Sequence, residues 1–121
     1  MEFQRRQAIY LQIGDYICEN ILVKKWKEGD KIPSIRELAV SIEVNPNTVM
    51  RTYSYLQDRG IIFNKRGIGY FVAKNAYENT RSLKKEGFIN HDLPHLFKTM
   101  DLLNLSFNDL KLFYNKNKGD T

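Results

Sequence analysis

The sequence predicts a mainly α-helical fold with one small β-hairpin, followed by a short helical segment. Three observations carry that expectation. Three amphipathic or capped helical stretches lie close together before Gly60. Ile61–Asn64 and Tyr70–Ala73 are short β-prone runs joined by the glycine-containing turn Lys65-Arg66-Gly67-Ile68-Gly69. Beyond Lys74 apolar stripes at helical spacing resume. Two helices close together, a third with a polar outward face and then a basic hairpin is the order of a winged helix-turn-helix.

The first helix is expected over about Gln7 to Lys25, because Ile9, Ile13, Ile17 and Ile21 recur every four residues and Tyr10, Tyr16 and Leu22 widen the stripe. Gly14 interrupts it at a cost of about 1 kcal/mol relative to alanine, which a close helix crossing would explain. Lys24, Lys25 and Lys27 suit a helix C-terminus, and Gly29-Asp30 turns the chain. Ser34 and Glu37 stand at capping-box spacing and open a short second helix with Leu38, Ala39 and Ile42 inward. After the turn Glu43-Val44-Asn45, Asn45 caps a third helix and Pro46 begins it. Val49, Thr52, Tyr53 and Leu56 mark its inward face. At about 100° per residue, Asn47 and Arg51 point away from that face, and Thr48 and Tyr55 lie on its flank. Gly60 is placed to end it.

In the tail, Asn75 to Glu86 reads as a polar helix ended by Gly87, with a further break at His91-Asp92-Leu93-Pro94. Leu96, Phe97, Met100 and Leu103 form one stripe. Ser106 with Asp109 resembles a cap, and Phe107, Leu110, Phe113 and Tyr114 form another stripe before a polar, frayed end. The domain boundary is therefore expected at residue 74, with residues 1–74 as the winged domain and 75–121 as a helical tail.

Charge is placed unevenly. Residues 1–43 carry seven basic and seven acidic side chains, residues 44–74 carry five against one, and residues 75–121 carry seven against six. The excess of the middle segment suits a polyanion-binding surface, and a solvated face is the plainer alternative. The single cysteine, Cys18, excludes an intrachain disulfide and points to the reducing cytoplasm. The start of the chain reads as neither a signal peptide nor a membrane span, and no apolar run approaches the length that crosses a bilayer. There is no nucleophile–base constellation, P-loop or dinucleotide fingerprint, so no enzyme and no cofactor is expected. His91, Asp92 and His95 suggest a metal site only weakly, because Pro94 interrupts their helical pairing. Trp26 and Tyr10 are expected to pack the first helix.

Residues 7–73 resemble the DNA-binding domain of GntR-type bacterial transcription regulators. The resemblance is carried by Ile32-Pro33-Ser34-Ile35-Arg36-Glu37-Leu38-Ala39, Val44-Asn45-Pro46-Asn47-Thr48-Val49, Leu56, Gly60-Ile61-Ile62 and Gly67-Ile68-Gly69-Tyr70-Phe71-Val72, with Ile9-Tyr10-Leu11-Gln12-Ile13 upstream. The short tail is similar to that of the YtrA subfamily. The resemblance implies a dimeric repressor on an inverted-repeat operator, often controlling transporter genes. It also implies DNA contact by Arg36. Many relatives carry glycine where this chain has Glu43, which implies strain there if φ is positive. Many carry arginine where this chain has Met50, so base reading is not assigned to Met50. Ile68 at the wing tip excludes hydrogen-bond readout by that side chain.

The expected DNA-binding set is Arg36, Asn45, Asn47, Thr48, Arg51, Tyr55, Lys65, Arg66, Gly67 and Gly69. Arginine pairs bidentately with guanine and asparagine with adenine, which suits Arg51 and Asn47. Thr48 suits phosphate, Asn45 is either a contact or only a cap, and Tyr55 reaches for the DNA backbone. Lys65 and Arg66 suit phosphate or the minor groove, with the wing backbone at Gly67 and Gly69 entering beside them. Leu93, Leu96, Phe97, Met100, Leu103, Phe107, Leu110 and Phe113 are too apolar for short helices to hide alone, and are expected to pair two copies. A winged-helix protein-interaction module that reads no DNA is the rival reading. The residues name no effector; one would fit best between tail and winged domain or at a dimer interface.

Overall fold

The structure, a computed structural model, describes residues 7–119. The expectations for the first six residues and for Asp120 and Thr121 lie outside the described residues. One compact unit ends at Leu83 and a second begins at Lys84.

In the first unit α1 spans Ile9–Leu22, α2 Ile35–Ser41 and α3 Pro46–Asp58, followed by β1 (Ile62–Lys65) and β2 (Gly69–Val72). Ile13, Ile17 and Ile21 of α1 meet Val49, Tyr53 and Leu56 of α3, with Leu38 and Ala39 of α2 and Ile61, Ile62 and Val72 of the hairpin closing one buried cluster. Burying a side chain of this size stabilises by about 1.5–3 kcal/mol, so this cluster is what holds α3 in place. The hairpin is antiparallel, pairing Ile62 with Val72 and Lys65 with Gly69. Residues 29–32 run along its other edge: Ile32 N–H donates to Tyr70 O at 3.0 Å and Val72 N–H to Asp30 O at 2.9 Å.

Local signals place the helix starts. Ser34 Oγ accepts from Glu37 N–H and the Glu37 carboxylate accepts from Ser34 N–H, both at 3.0 Å, which completes the capping box. Asn45 Oδ1 accepts from Asn47 N–H at 2.8 Å, with Pro46 in the first helical turn. Helix α1 is shorter than its periodicity suggests. It stops at Leu22 because Lys24 adopts φ +62° and the N–H groups of Lys24 and Lys25 fold back onto Ile21 O and Asn20 O. Gly14 is buried against α3, but a methyl group there would stand 3.8 Å from Thr52 Cγ2 and 4.0 Å from Leu56 Cδ2, an ordinary contact. The crossing therefore does not require glycine.

Helix α4 spans Ala76–Gly87. Its first turns do not belong to a separate tail. Ala76 and Thr80 are buried, Leu83 packs on the core, and Asn79 Nδ2–H donates to Gly60 O at 2.9 Å. The winged core is thus not complete at Val72. A helix that is polar by composition still buries its small-residue face, which counting charges does not reveal.

Helix α4 ends at Gly87 as expected, but neither Gly87 nor Pro94 breaks the helical path. A π-helical turn covers Phe88–Asp92 and α5 follows over Leu93–Leu103, while Gly87, Asp92 and Leu93 all keep right-handed helical angles. Proline lacks an N–H and its ring crowds the preceding turn, and a wider π turn just ahead of Pro94 accommodates both. Asn104 at φ +57° ends α5. Helix α6 spans Phe107–Gly119, so the end expected to fray is helical to Gly119. The expected cap on α6 is present: Ser106 N–H donates to Asp109 Oδ2 at 2.9 Å and Asp109 N–H to Ser106 Oγ at 3.1 Å.

Candidate nucleic-acid interface

Helix α3 is anchored from behind. The Tyr53 hydroxyl donates to Pro33 O at 2.6 Å, which ties α3 to the turn before α2, and burial pushes that phenol far above its ordinary range. The Thr52 hydroxyl lies 2.7 Å from Tyr10 O and binds α3 to the first turn of α1. With Val49, Thr52, Tyr53 and Leu56 buried, the opposite side of α3 is left to solvent. Asn47 and Arg51 are exposed there, and Thr48 and Tyr55 are half-buried on the flank, as the helical rotation predicts. Met50 is also exposed beside them. Arg36 is exposed on the second residue of α2. Asn45 serves as the cap, so its side-chain oxygen is already engaged.

Two of these side chains carry contacts that the sequence does not reveal. The Arg51 guanidinium carbon sits 3.9 Å from the centre of the Tyr10 ring. Tyr55 meets Tyr10 edge-on at 6.0 Å, and Arg59 covers the Tyr55 ring at 3.6 Å. Tyr55 is therefore built into a stack between α1 and α3. Tyr10 does pack α1, as expected, but its ring faces the exposed side of α3.

On the wing, Lys65, Arg66 and Gly67 are exposed and Gly69 is half-buried. Gly67 has φ +79° and Gly69 φ +143°, and a side chain at Gly69 would stand 3.0 Å from Lys31 Cε, so both positions need glycine for the turn to form. Lys65 Nζ lies 5.1 Å from the Phe71 ring, which itself stacks on Phe63. The Lys65 ammonium therefore rests on the wing's own aromatic pair, while Arg66 stands at the turn. Ile68 is 61% exposed at the tip, an apolar point on an otherwise polar loop.

In the second unit the apolar set expected to pair copies divides. Phe97, Leu103, Phe107 and Phe113 are exposed, Leu93, Leu96 and Leu110 are half-buried, and Met100 is buried. Met100 is thus not available on the monomer surface, because it packs within its own chain. Leu102 and Leu112 are exposed and extend the apolar surface. Among the described residues no group of three or more His, Cys, Asp or Glu could hold a metal ion, and no helix is long and apolar enough to cross a membrane.

Comparison with known proteins agrees with this architecture. The family model for bacterial regulatory proteins of the gntR family matches residues 9–72. The HTH-type transcriptional repressor YtrA of Bacillus subtilis is 47% identical over 68 residues, covering 56% of this chain and 52% of that protein. The HTH-type transcriptional regulator YhcF of the same organism is 47% identical over 75 residues, covering 62% of each chain. The chain thus matches only about half to three fifths of the length of these curated relatives. Among solved structures, a GntR-family transcriptional regulator from Bacteroides thetaiotaomicron superposes with a TM-score of 0.74 at 43% identity, covering 94% of this chain and all of that one. The DNA-binding domain of AraR in complex with operator ORR3 superposes with a TM-score of 0.52 at 26% identity, over 60% of this chain and 95% of that one. That family is one of DNA-binding regulators rather than enzymes. With its family model spanning all three core helices and the wing, the chain belongs to the GntR family of bacterial regulatory proteins.

Proposed function

We propose that this chain is a cytoplasmic, homodimeric transcription repressor that binds an inverted-repeat operator with α3 in the major groove. The observation that carries the reading is the exposed face of α3. Asn47 and Arg51 project from a helix whose other side is locked into the core, on the segment that holds most of the net positive charge. Arg51 and Asn47 read base edges, while Thr48 and Arg36 hold phosphate. Arg66 and Lys65 bring the wing, with Gly67 and Gly69, to the backbone or the minor groove. Residues beyond Leu83 pair two copies through Phe97, Leu103, Phe107 and Phe113, with half-buried Leu93, Leu96 and Leu110 at the edge of the patch. AraR with its operator and the repressor YtrA support the reading by likeness. Control of transporter genes, implied by the family resemblance, joins the proposal.

The test is selection of duplexes from a randomised pool by the full-length chain, followed by titration of the recovered duplex and a scrambled one. Arg51→Ala is expected to weaken the recovered duplex by about 1–3 kcal/mol and the scrambled one far less. Equal losses would reduce Arg51 to a phosphate contact. Lys65→Ala combined with Arg66→Ala is expected to flatten the salt dependence by about one to two units of slope on both duplexes. Failure to recover any duplex would favour a winged-helix module that binds protein instead.

A further inference from the structure

The stack between α1 and α3 contains two arginines in different states. Arg59 covers Tyr55 and also donates from Nη1 to Tyr55 O at 3.2 Å. Arg51 covers Tyr10 and has no hydrogen-bond or ion-pair partner among the described residues. Its guanidinium carbon lies over the ring, and among the described residues none of its N–H groups has a partner. The ring that covers it is itself held: the Tyr10 carbonyl accepts from the Thr52 hydroxyl at 2.7 Å, one residue from Arg51, and Tyr55 abuts the ring edge-on. Arg59, by contrast, spends one of its N–H groups on its own helix.

We propose that Tyr10 is a positioning residue for base readout, holding the Arg51 guanidinium by its face so that its N–H edges meet the paired acceptors of a guanine. The inference rests on the reading of α3 as the recognition helix. An exposed arginine gives up considerable rotamer freedom when it binds. Stacking on Tyr10 removes part of that freedom beforehand and leaves the guanidinium less hydrated on one side. It also favours a planar acceptor pair such as guanine O6 and N7 over a single phosphate oxygen, because the forked edge is presented in a fixed plane. Tyr10 thereby sharpens specificity without touching DNA, from a helix outside the helix-turn-helix.

The experiment uses the full-length chain, the duplex it selects from a randomised pool, and a scrambled duplex of equal composition. Tyr10→Leu is expected to weaken the selected duplex about two- to fivefold, with no change on the scrambled one. Tyr10→Phe keeps the ring and is expected to bind as the native chain does. In an Arg51→Ala background the loss from Tyr10→Leu is expected to vanish. Three binding results overturn the proposal. They are an undiminished loss in that background, no loss on the selected duplex while Arg51→Ala itself weakens it, and tighter binding by Tyr10→Leu, which would make the stack a parked state. If Arg51→Ala does not weaken the selected duplex, base reading by Arg51 fails first and this inference falls with it, whereas duplex selection itself still tests the broader reading. A readout free of DNA stands beside these. The Arg51 side-chain proton resonances should be shifted upfield by the Tyr10 ring in the native chain, and unshifted positions would refute the stack even if Tyr10→Leu does not fold.

Discussion

Glu37 ties charge to the start of α2. The hydrogen bonds from Ser34 hold its carboxyl below the ordinary carboxylate range, with a smaller contribution from Lys31. Because the folded-state value is depressed, this stabilisation is complete above the unfolded-state value and is lost as pH falls through the folded one. Glu37→Gln keeps an acceptor for the Ser34 N–H but cannot titrate. Melting temperatures from about pH 7 down to about pH 3 should therefore fall less steeply for Glu37→Gln than for the native chain, and parallel curves would remove the charge from the account. Gly14 gives a second prediction at this scale. A methyl there meets Thr52 and Leu56 at ordinary distances and φ needs no glycine, so Gly14→Ala should stabilise by about 0.5–1 kcal/mol in urea titration. A loss of stability would show that the crossing depends on glycine after all. The aim of Arg51 could be read from residue numbers alone, since it needs only the rotation of a helix. The ring beneath it could not, since Tyr10 comes from another helix and its partner is set by how the two helices cross.

At the scale of elements, the helix starts were legible, and of the helix ends that after α3 at Gly60 was read while those after α1 and α5 were not. Ser34-x-x-Glu37, Asn45-Pro46 and Ser106-x-x-Asp109 announce themselves because capping is done by nearby side chains. The ends share one motif that is hard to see. After α1, α2, α3 and α5, a left-handed residue lets two N–H groups fold back on the last turn: Lys24, Glu43, Gly60 and Asn104 occupy that position. Only Gly60 is a glycine, the residue that usually marks the site. The strain expected at Glu43 is present at φ +56°, and Lys24 adds a second case at φ +62° that the sequence did not suggest. Left-handed φ costs a residue with a Cβ about 1–2 kcal/mol, partly offset by the entropy glycine loses on folding. Glu43→Gly and Lys24→Gly should each stabilise by about 0.5–1 kcal/mol, and together by nearly the sum because they sit in separate turns. Unchanged or lowered denaturation midpoints would contradict this. The continuity through Gly87 and Pro94 was illegible for a related reason: both residues are read as breakers, and the π turn that accommodates proline has no sequence signature.

At the scale of the whole molecule, the winged domain was legible as a fold because its signals are local and ordered along the chain. Its true extent was not. A chain ending at Asn75 would lose Ala76, Asn79, Thr80 and Leu83 from the core and expose Gly60 O, and is expected to melt well below the native chain. A chain ending at Leu83 keeps those contacts and is expected to stay folded. Without the exposed apolar residues of α5 and α6 it should be monomeric by light scattering and bind the selected duplex about tenfold or more weakly, because the second contact is no longer tethered. A chain ending at Leu83 that remains dimeric would remove pairing from α5 and α6. The apolar stripe of the tail was legible as a surface, whereas the withdrawal of Met100 into its own chain depends on packing that periodicity does not describe.

The bond from Asn79 to Gly60 sets a boundary that isotope exchange can read. Ala76 lies in the same buried cluster as α3 and Leu83 packs against it, so deuterium should enter the α4 amides up to Leu83 only when the whole winged domain opens. Those from Lys84 onward have few buried neighbours, and if copies pair through α5 and α6 as proposed, their protection should rise with protein concentration. One helix would then carry two exchange regimes, one independent of concentration and one governed by it.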